Sequence, residues 1–141
     1  MKTEKSCGAI VFRREGNEIK FLLLHYGAGH WEFPRGHPEK GEDEKETALR
    51  ELGEETGIKK ADFVKGFKKE ISFYFRKEKE LILKTAVFYL LETKQRKIKL
   101  SREHMGYRWA GLGAALKILT FKDSRKVLEA AHDFLMKIRK L

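Results

Sequence analysis

The chain has one cysteine, Cys7, in 141 residues. An internal disulfide is therefore excluded, and Cys7 is expected as a buried strand residue in a reducing, intracellular setting. Asn17 and Gln95 are the only asparagine and glutamine. With charged residues at 37 %, this scarcity of thermolabile amides reads as heat adaptation. The longest apolar runs, such as Phe21–Leu24, are far too short to span a bilayer. The opening residues, MKTEKSCGAI, carry no secretory apolar region, so a cytoplasmic protein is expected. Internal repeats and low-complexity tracts are also absent.

What remains is the composition of a globular chain, 41 % hydrophobic and long enough to bury a core as one domain over residues 1–141. A net charge of +10 would attract polyphosphate or nucleic acid. A Lys-rich, heat-adapted surface explains the same excess, so RNA is possible as a partner but not favoured.

One stretch stands apart. From Gly36 to Ile58 the chain reads GHPEKGEDEKETALRELGEETGI, or G-x5-E-x7-R-E-L-x-E-E-x-G-I. Chance produces this pattern in fewer than about one in ten million windows. Glu42 to Thr56 is expected as a helix whose inward stripe is Leu49, Leu52 and Thr56. Gly57 supplies its stop. Glu51, Glu54 and Glu55 share a helix face, where like charges repel and oppose the macrodipole. Clustered carboxylates of this kind suit a divalent metal whose shell substrate phosphates complete. Glu42, half a turn away from Glu51, is expected to brace the site rather than to share its ion.

Around this stretch, Ser6–Arg14 and Glu18–Tyr26 read as strands joined by a turn at Gly16. In His30–His37, Pro34 holds Phe33 extended and keeps a helix from starting. Trp31 and Phe33 read as core or cleft wall. His30 and Arg35 are polar groups carried to the edge of the box, and a guanidinium can grip phosphate with two parallel hydrogen bonds. Phe63–Phe75 and Glu80–Glu92 form a hairpin in which Tyr74 must face away from Phe73 and Phe75. Tyr74 could then stack on a base or simply cover the surface. Gly106–Ala110 reads as a short strand and Leu112–Leu119 as a short helix. The last helix, Ser124–Lys140, has an apolar stripe of Val127, Leu128, Ala131, Phe134, Leu135 and Ile138.

The box resembles that of the Nudix hydrolases, which cleave nucleoside diphosphates linked to another moiety. Within them the chain resembles the asymmetric diadenosine tetraphosphatases. The segments that carry this are CGAIVFRR, IKFLLLH, HW..P.GH, GED..ETALRE, GFKKE, LS.EH..YRW and FK......HDFL. The resemblance implies an α/β/α sandwich with a mixed central sheet and a loop-helix-loop catalytic box. It implies hydrolysis of diadenosine tetraphosphate to ATP and AMP with Mg2+ or Mn2+. Glu51 and Glu55 would be the principal metal ligands, with the carbonyl of Gly36. Glu54 would be a ligand or the general base, and Arg50 would orient the carboxylates. Glu103 would approach the metal or activate water. His30 and Arg35 would contact phosphates, and Tyr74 and Phe121 would sandwich adenine. Arg35 stands where Lys is usual, Glu32-Phe33 where Thr-Pro is usual, and Arg102 where His is common. The alternatives are a 5'-triphosphate RNA pyrophosphohydrolase, a nucleoside triphosphate pyrophosphatase, and a non-catalytic nucleotide or RNA sensor. A monomer without membrane association is expected.

Overall fold

A computed structural model describes residues 2–139. Lys140, with which the expected last helix ends, lies outside them. The backbone of the sheet is β1 (Lys2–Glu15), which pairs in parallel along its length with β6 (Glu80–Glu92). β6 in turn pairs antiparallel with the edge strand β5 (Asp62–Lys77), through a turn at Glu78 and Lys79. The other side of β1 is shared between two partners. Its end pairs with β2 (Glu18–Tyr26), while Cys7 and Gly8 pair with the two-residue β4 (Arg35–Gly36). β2 also carries the short β3 (Trp31–Glu32) and β7 (His104–Ala110). The sheet is thus mixed, and the divided side of β1 brings the end of the Trp31–Gly36 segment to its middle.

β1 begins four residues before the expected Ser6, because Lys2–Lys5 continue the parallel ladder opposite Ile82–Thr85. Both faces of the sheet are covered. On one, Ala9, Val11, Leu22, Leu24, Val87 and Leu91 pack against Ala48 and Leu52 of α1 (Glu44–Thr56). On the other, Ile10, Phe12, Phe21, Phe88 and Leu90 pack against α2 (Leu112–Ile118) and α3 (Lys122–Arg139). The expected stripe of α3 is buried at Val127, Leu128, Ala131 and Leu135, whereas Ile138 is exposed.

The helix of the box starts two residues later than expected. Asp43 caps it by accepting from the Glu46 amide, and the Glu46 carboxylate accepts from the Asp43 amide. Its inward stripe is Ala48, Leu52, Glu55 and Thr56, while Leu49 is 42 % exposed. The small Ala48, one turn before Leu52, lets the helix lie close to the sheet; Leu49 falls outside that line of contact.

A second correction concerns β5. Its register slips between Phe63 and Lys68, where Gly66 takes a φ of 93°. The slip reverses which residues face which side. Phe63 packs against Tyr89 on the α1 side, but Phe67 packs against Phe134 of α3. Beyond it Ile71, Phe73 and Phe75 stay on the α3 side, and Tyr74 points to the opposite one.

Candidate active site

Arg50 organises the box. Its guanidinium donates to both oxygens of Glu42, to Glu51, to Glu54 and to the carbonyl of His37. Glu42 also accepts from the Glu39 amide and the Thr47 hydroxyl. These bonds, Arg50's first, hold the Glu42 carboxyl down at about 2. Glu42 therefore braces the loop rather than facing the cleft. The planar fork of Arg50 turns mutually repelling carboxylates into one connected network.

The carboxylates of the box do not share one environment. Glu51 is half-buried and its carboxylate lies against the Cα of Gly36, where an added Cβ would overlap it. Glu55 is 4 % exposed and accepts from the Arg35 amide at 3.3 Å. Burial first, then the Glu51 charge, pushes the Glu55 carboxyl up to about 8. Glu51 is raised as well, again mainly by burial. Glu54 is instead 57 % exposed and its carboxylate is turned to Arg50.

Glu103 joins Gly36, Glu51 and Glu55 around one cleft of about 490 Å3. It is carried on the exposed loop before β7, which the Gly27 amide pins by donating to the Glu103 carbonyl at 3.0 Å. Behind the cleft lies a group that no spacing or local pattern singles out. His104 is buried, its Nδ1 and the Ser101 hydroxyl share a hydrogen bond of 2.9 Å, and its Nε2 faces Glu55 Oε1 across 3.8 Å. Its Nε2 has no hydrogen-bond partner among the described residues, nor does the buried Ser6 hydroxyl, which also lines the cleft.

These residues fit a divalent cation. Among the described residues no three acidic, His or Cys side chains form a ready-made cage. Yet two carboxylates destabilised by burial and by each other sit where a cation would relieve both. An ion such as Mg2+ needs only one or two carboxylates when substrate phosphates complete its shell.

A second cavity of about 490 Å3 adjoins this cleft and is lined by Ile71, Phe73, Phe75 and Phe121, with Glu32 and Ser124 at its base. His30, Arg35 and Lys84 line both spaces and form a basic boundary between them. Lys84 was invisible in the sequence as a site residue. It faces the pocket because it pairs with Phe73 across the hairpin. Burial, then the Arg35 charge, lowers the affinity of its amine for a proton. Tyr26 lines the cleft beside this boundary; its ring stacks on His30 at 4.7 Å and its hydroxyl donates to the Phe33 carbonyl. Phe121 lies beside His30, with ring centroids 5.6 Å apart. Of the expected site residues, the structure brings Gly36, Glu51, Glu55, Glu103, His30, Arg35 and Phe121 to these two spaces. Arg50 lines the cleft as well, whereas Glu54 is bonded to it from outside and Tyr74 lies on the far side of β5. The aromatic side chains that β5 does deliver are Phe73 and Phe75. Only the cross-strand register, which alternation alone does not fix, could have distinguished them from Tyr74.

A two-sided sandwich whose loop and helix gather carboxylates beside basic side chains and an aromatic cavity suits a phosphate-bearing ligand. The NUDIX domain family model matches residues 2–131, and the chain belongs to the Nudix hydrolase family. It is similar to the asymmetrical bis(5'-nucleosyl)-tetraphosphatase of Sus scrofa, 42 % identical over 93 % of this chain and 95 % of that one. The Mus musculus protein of the same name is 39 % identical over the same shares. Among solved structures, a binary complex of C. elegans Ap4A hydrolase superposes with a TM-score of 0.80, at 27 % identity, covering 95 % of this chain and 98 % of that one.

Proposed function

We propose that this chain hydrolyses dinucleoside polyphosphates, diadenosine tetraphosphate to ATP and AMP in particular, with Mg2+ or Mn2+. The observation that carries this reading is that His30, Arg35 and Lys84 line both the carboxylate cleft and the aromatic cavity. A nucleoside seated among Phe73, Phe75 and Phe121 would thread its phosphates past three basic side chains to the carboxylates. The relatives named above act on this class of substrate by their names, over nearly their whole length.

A divalent ion held by Glu51, Glu55 and the Gly36 carbonyl would neutralise the polyphosphate and acidify water. The chain's own residues supply the rest. Arg35 and His30 bind phosphate oxygens and hold the charge that shifts onto the leaving nucleotide. Lys84 adds a third basic group beside them. Glu103, exposed at the mouth of the cleft, takes the proton of the attacking water. Arg50 keeps Glu51 in place, and Glu54 balances its charge from outside. Tyr26 stacks on His30 and keeps its ring in place.

The test is incubation with diadenosine tetraphosphate and Mg2+, followed by separation of the products. Equal ATP and AMP is the expected result. Two ADP, or turnover confined to nucleoside triphosphates or triphosphorylated RNA, would overturn the assignment.

A further inference from the structure

Each carboxylate oxygen of Glu55 faces one nitrogen of the chain. Oε2 accepts from the Arg35 amide at 3.3 Å, and Oε1 lies 3.8 Å from Nε2 of His104. The second separation is too long for a hydrogen bond. Nε2 is nevertheless buried and has no other partner among the described residues. Buried polar atoms are as a rule paired, so this one calls for an explanation.

The rest of the imidazole is fixed. Nδ1 shares a hydrogen bond with the Ser101 hydroxyl, and the ring meets that of Tyr26 edge to face, with centroids 4.4 Å apart. The loop before His104 is tied to the end of α1, where the Lys99 and Ser101 amides donate to the carbonyls of Thr56 and Glu55. Glu55 is thus bonded through its backbone to the same segment whose imidazole faces its carboxylate. Packing accounts for where the ring sits, but not for the direction of Nε2. A hydroxyl can donate or accept, so Ser101 satisfies Nδ1 in either tautomer and leaves the state of Nε2 to Glu55.

We propose that His104 is a positioning residue for metal binding, donating from Nε2–H to Oε1 when Glu55 holds a divalent cation. A carboxylate on a cation only accepts hydrogen bonds, and Nε2 is the donor in place. Hydrogen bonds at active sites are commonly long in the free protein and tighten when the site is filled. Here an approach of about one ångström suffices. With the Arg35 amide on Oε2, both oxygens of the ligand would then be held from the protein side. Groups that orient a metal ligand in this way typically contribute roughly 10–100-fold to affinity. The inference rests on the reading that Glu55 binds the metal.

The test is Mn2+ binding without nucleotide, measured from the electron paramagnetic resonance signal of the free ion. The wild type is compared with His104→Asn, His104→Gln, Glu55→Gln and the double variant Glu55→Gln with His104→Asn. The amide nitrogen of Asn falls near the place of Nδ1 and that of Gln near the place of Nε2, so the two differ in position and not in chemistry. His104→Asn is expected to weaken Mn2+ binding roughly tenfold or more, and His104→Gln to restore most of it. In the Glu55→Gln background His104→Asn should cost nothing further. Equal losses in Asn and Gln would mark a packing role and overturn the proposal, as would a loss that persists in full without the Glu55 carboxylate. If the His104 variants do not fold, 15N resonances of the wild-type imidazole with Mg2+ decide: a proton on Nε2 is expected, and a proton on Nδ1 overturns the assignment. Mn2+ affinity unmoved by Glu55→Gln sinks the ligand reading itself, whereas affinity lowered by Glu55→Gln and untouched by His104→Asn sinks the His104 assignment alone.

Discussion

Nε2 of His104 faces Oε1 of Glu55 across 3.8 Å, and neither group reaches solvent freely. Burial of the two groups sets how the fold responds to pH. Glu55, raised to about 8 by burial, keeps its proton in the folded chain where the unfolded chain has lost it. Its contribution to stability is full below the unfolded value near 4.5 and is lost as pH rises through about 8. Burial lowers the affinity of His104 for a proton, so its own contribution runs the other way, and it is complete above the unfolded value near 6.5. Glu42 and Glu44, both held at about 2, titrate far below. Between pH 6.5 and 8 the melting temperature of the metal-free chain should therefore fall. Mg2+ should flatten that slope, and so should Glu55→Gln. A metal-free melting temperature that rises across this interval would contradict the assignment.

Gly36 and Glu51 are in contact so close that no side chain fits between them. Gly36→Ala should displace the Glu51 carboxylate by about an ångström. The expected loss in kcat is roughly a hundredfold, because small misplacements of reacting groups are costly. Circular dichroism should show an intact fold. Unchanged turnover would mean that Glu51 is not needed where it stands.

Glu103→Gln and Glu54→Gln separate two carboxylates that the spacing of the box cannot rank. Glu103 lines the cleft and Glu54 does not. Removing the proton acceptor should cut kcat by roughly 10^2–10^4 at little change in KM. Glu54→Gln should cost less, since it weakens one of Arg50's several bonds. The reverse ranking in steady-state kinetics would return the role to Glu54.

Phe73→Ala should raise KM by roughly tenfold or more, the loss of a stacked base being worth ~1–3 kcal/mol. Tyr74→Ala, at a side chain 61 % exposed on the other face of β5, should leave KM nearly unchanged. Equal effects would contradict the assignment of Phe73, rather than Tyr74, to the base.

These pairs also show where sequence reasoning reaches and where it stops. The box was legible because its chemistry demands fixed spacing along one short segment. The strands were legible from their alternation, and the cap of α1 by Gly57 from a single glycine. Leu49 misled because a 3–4 spacing fits two neighbouring stripes, and the choice between them depends on how near the sheet lies. Tyr74 misled because its face is set by the slip at Gly66, several residues away, and by which β6 residue lies opposite. Lys84 and Glu32 are in plain view in the sequence, but nothing local marks them. Lys84 becomes a site residue through Phe73 across the hairpin, and Glu32 through Ser124, which arrives from the far end of the chain.

The slip at Gly66 is more than a local irregularity. It works as a phase setting for the outer half of β5, ahead of every residue that this strand sends to the pocket. Lengthening or shortening that segment by one residue would exchange Phe73 and Phe75 for Ser72 and Tyr74 without altering any side chain. The walls of the pocket would change from two hydrocarbon rings to a hydroxyl and a phenol. Descendants of such a fold can thus acquire a new substrate through an insertion well outside the site, while the box, on a different element, keeps its reaction.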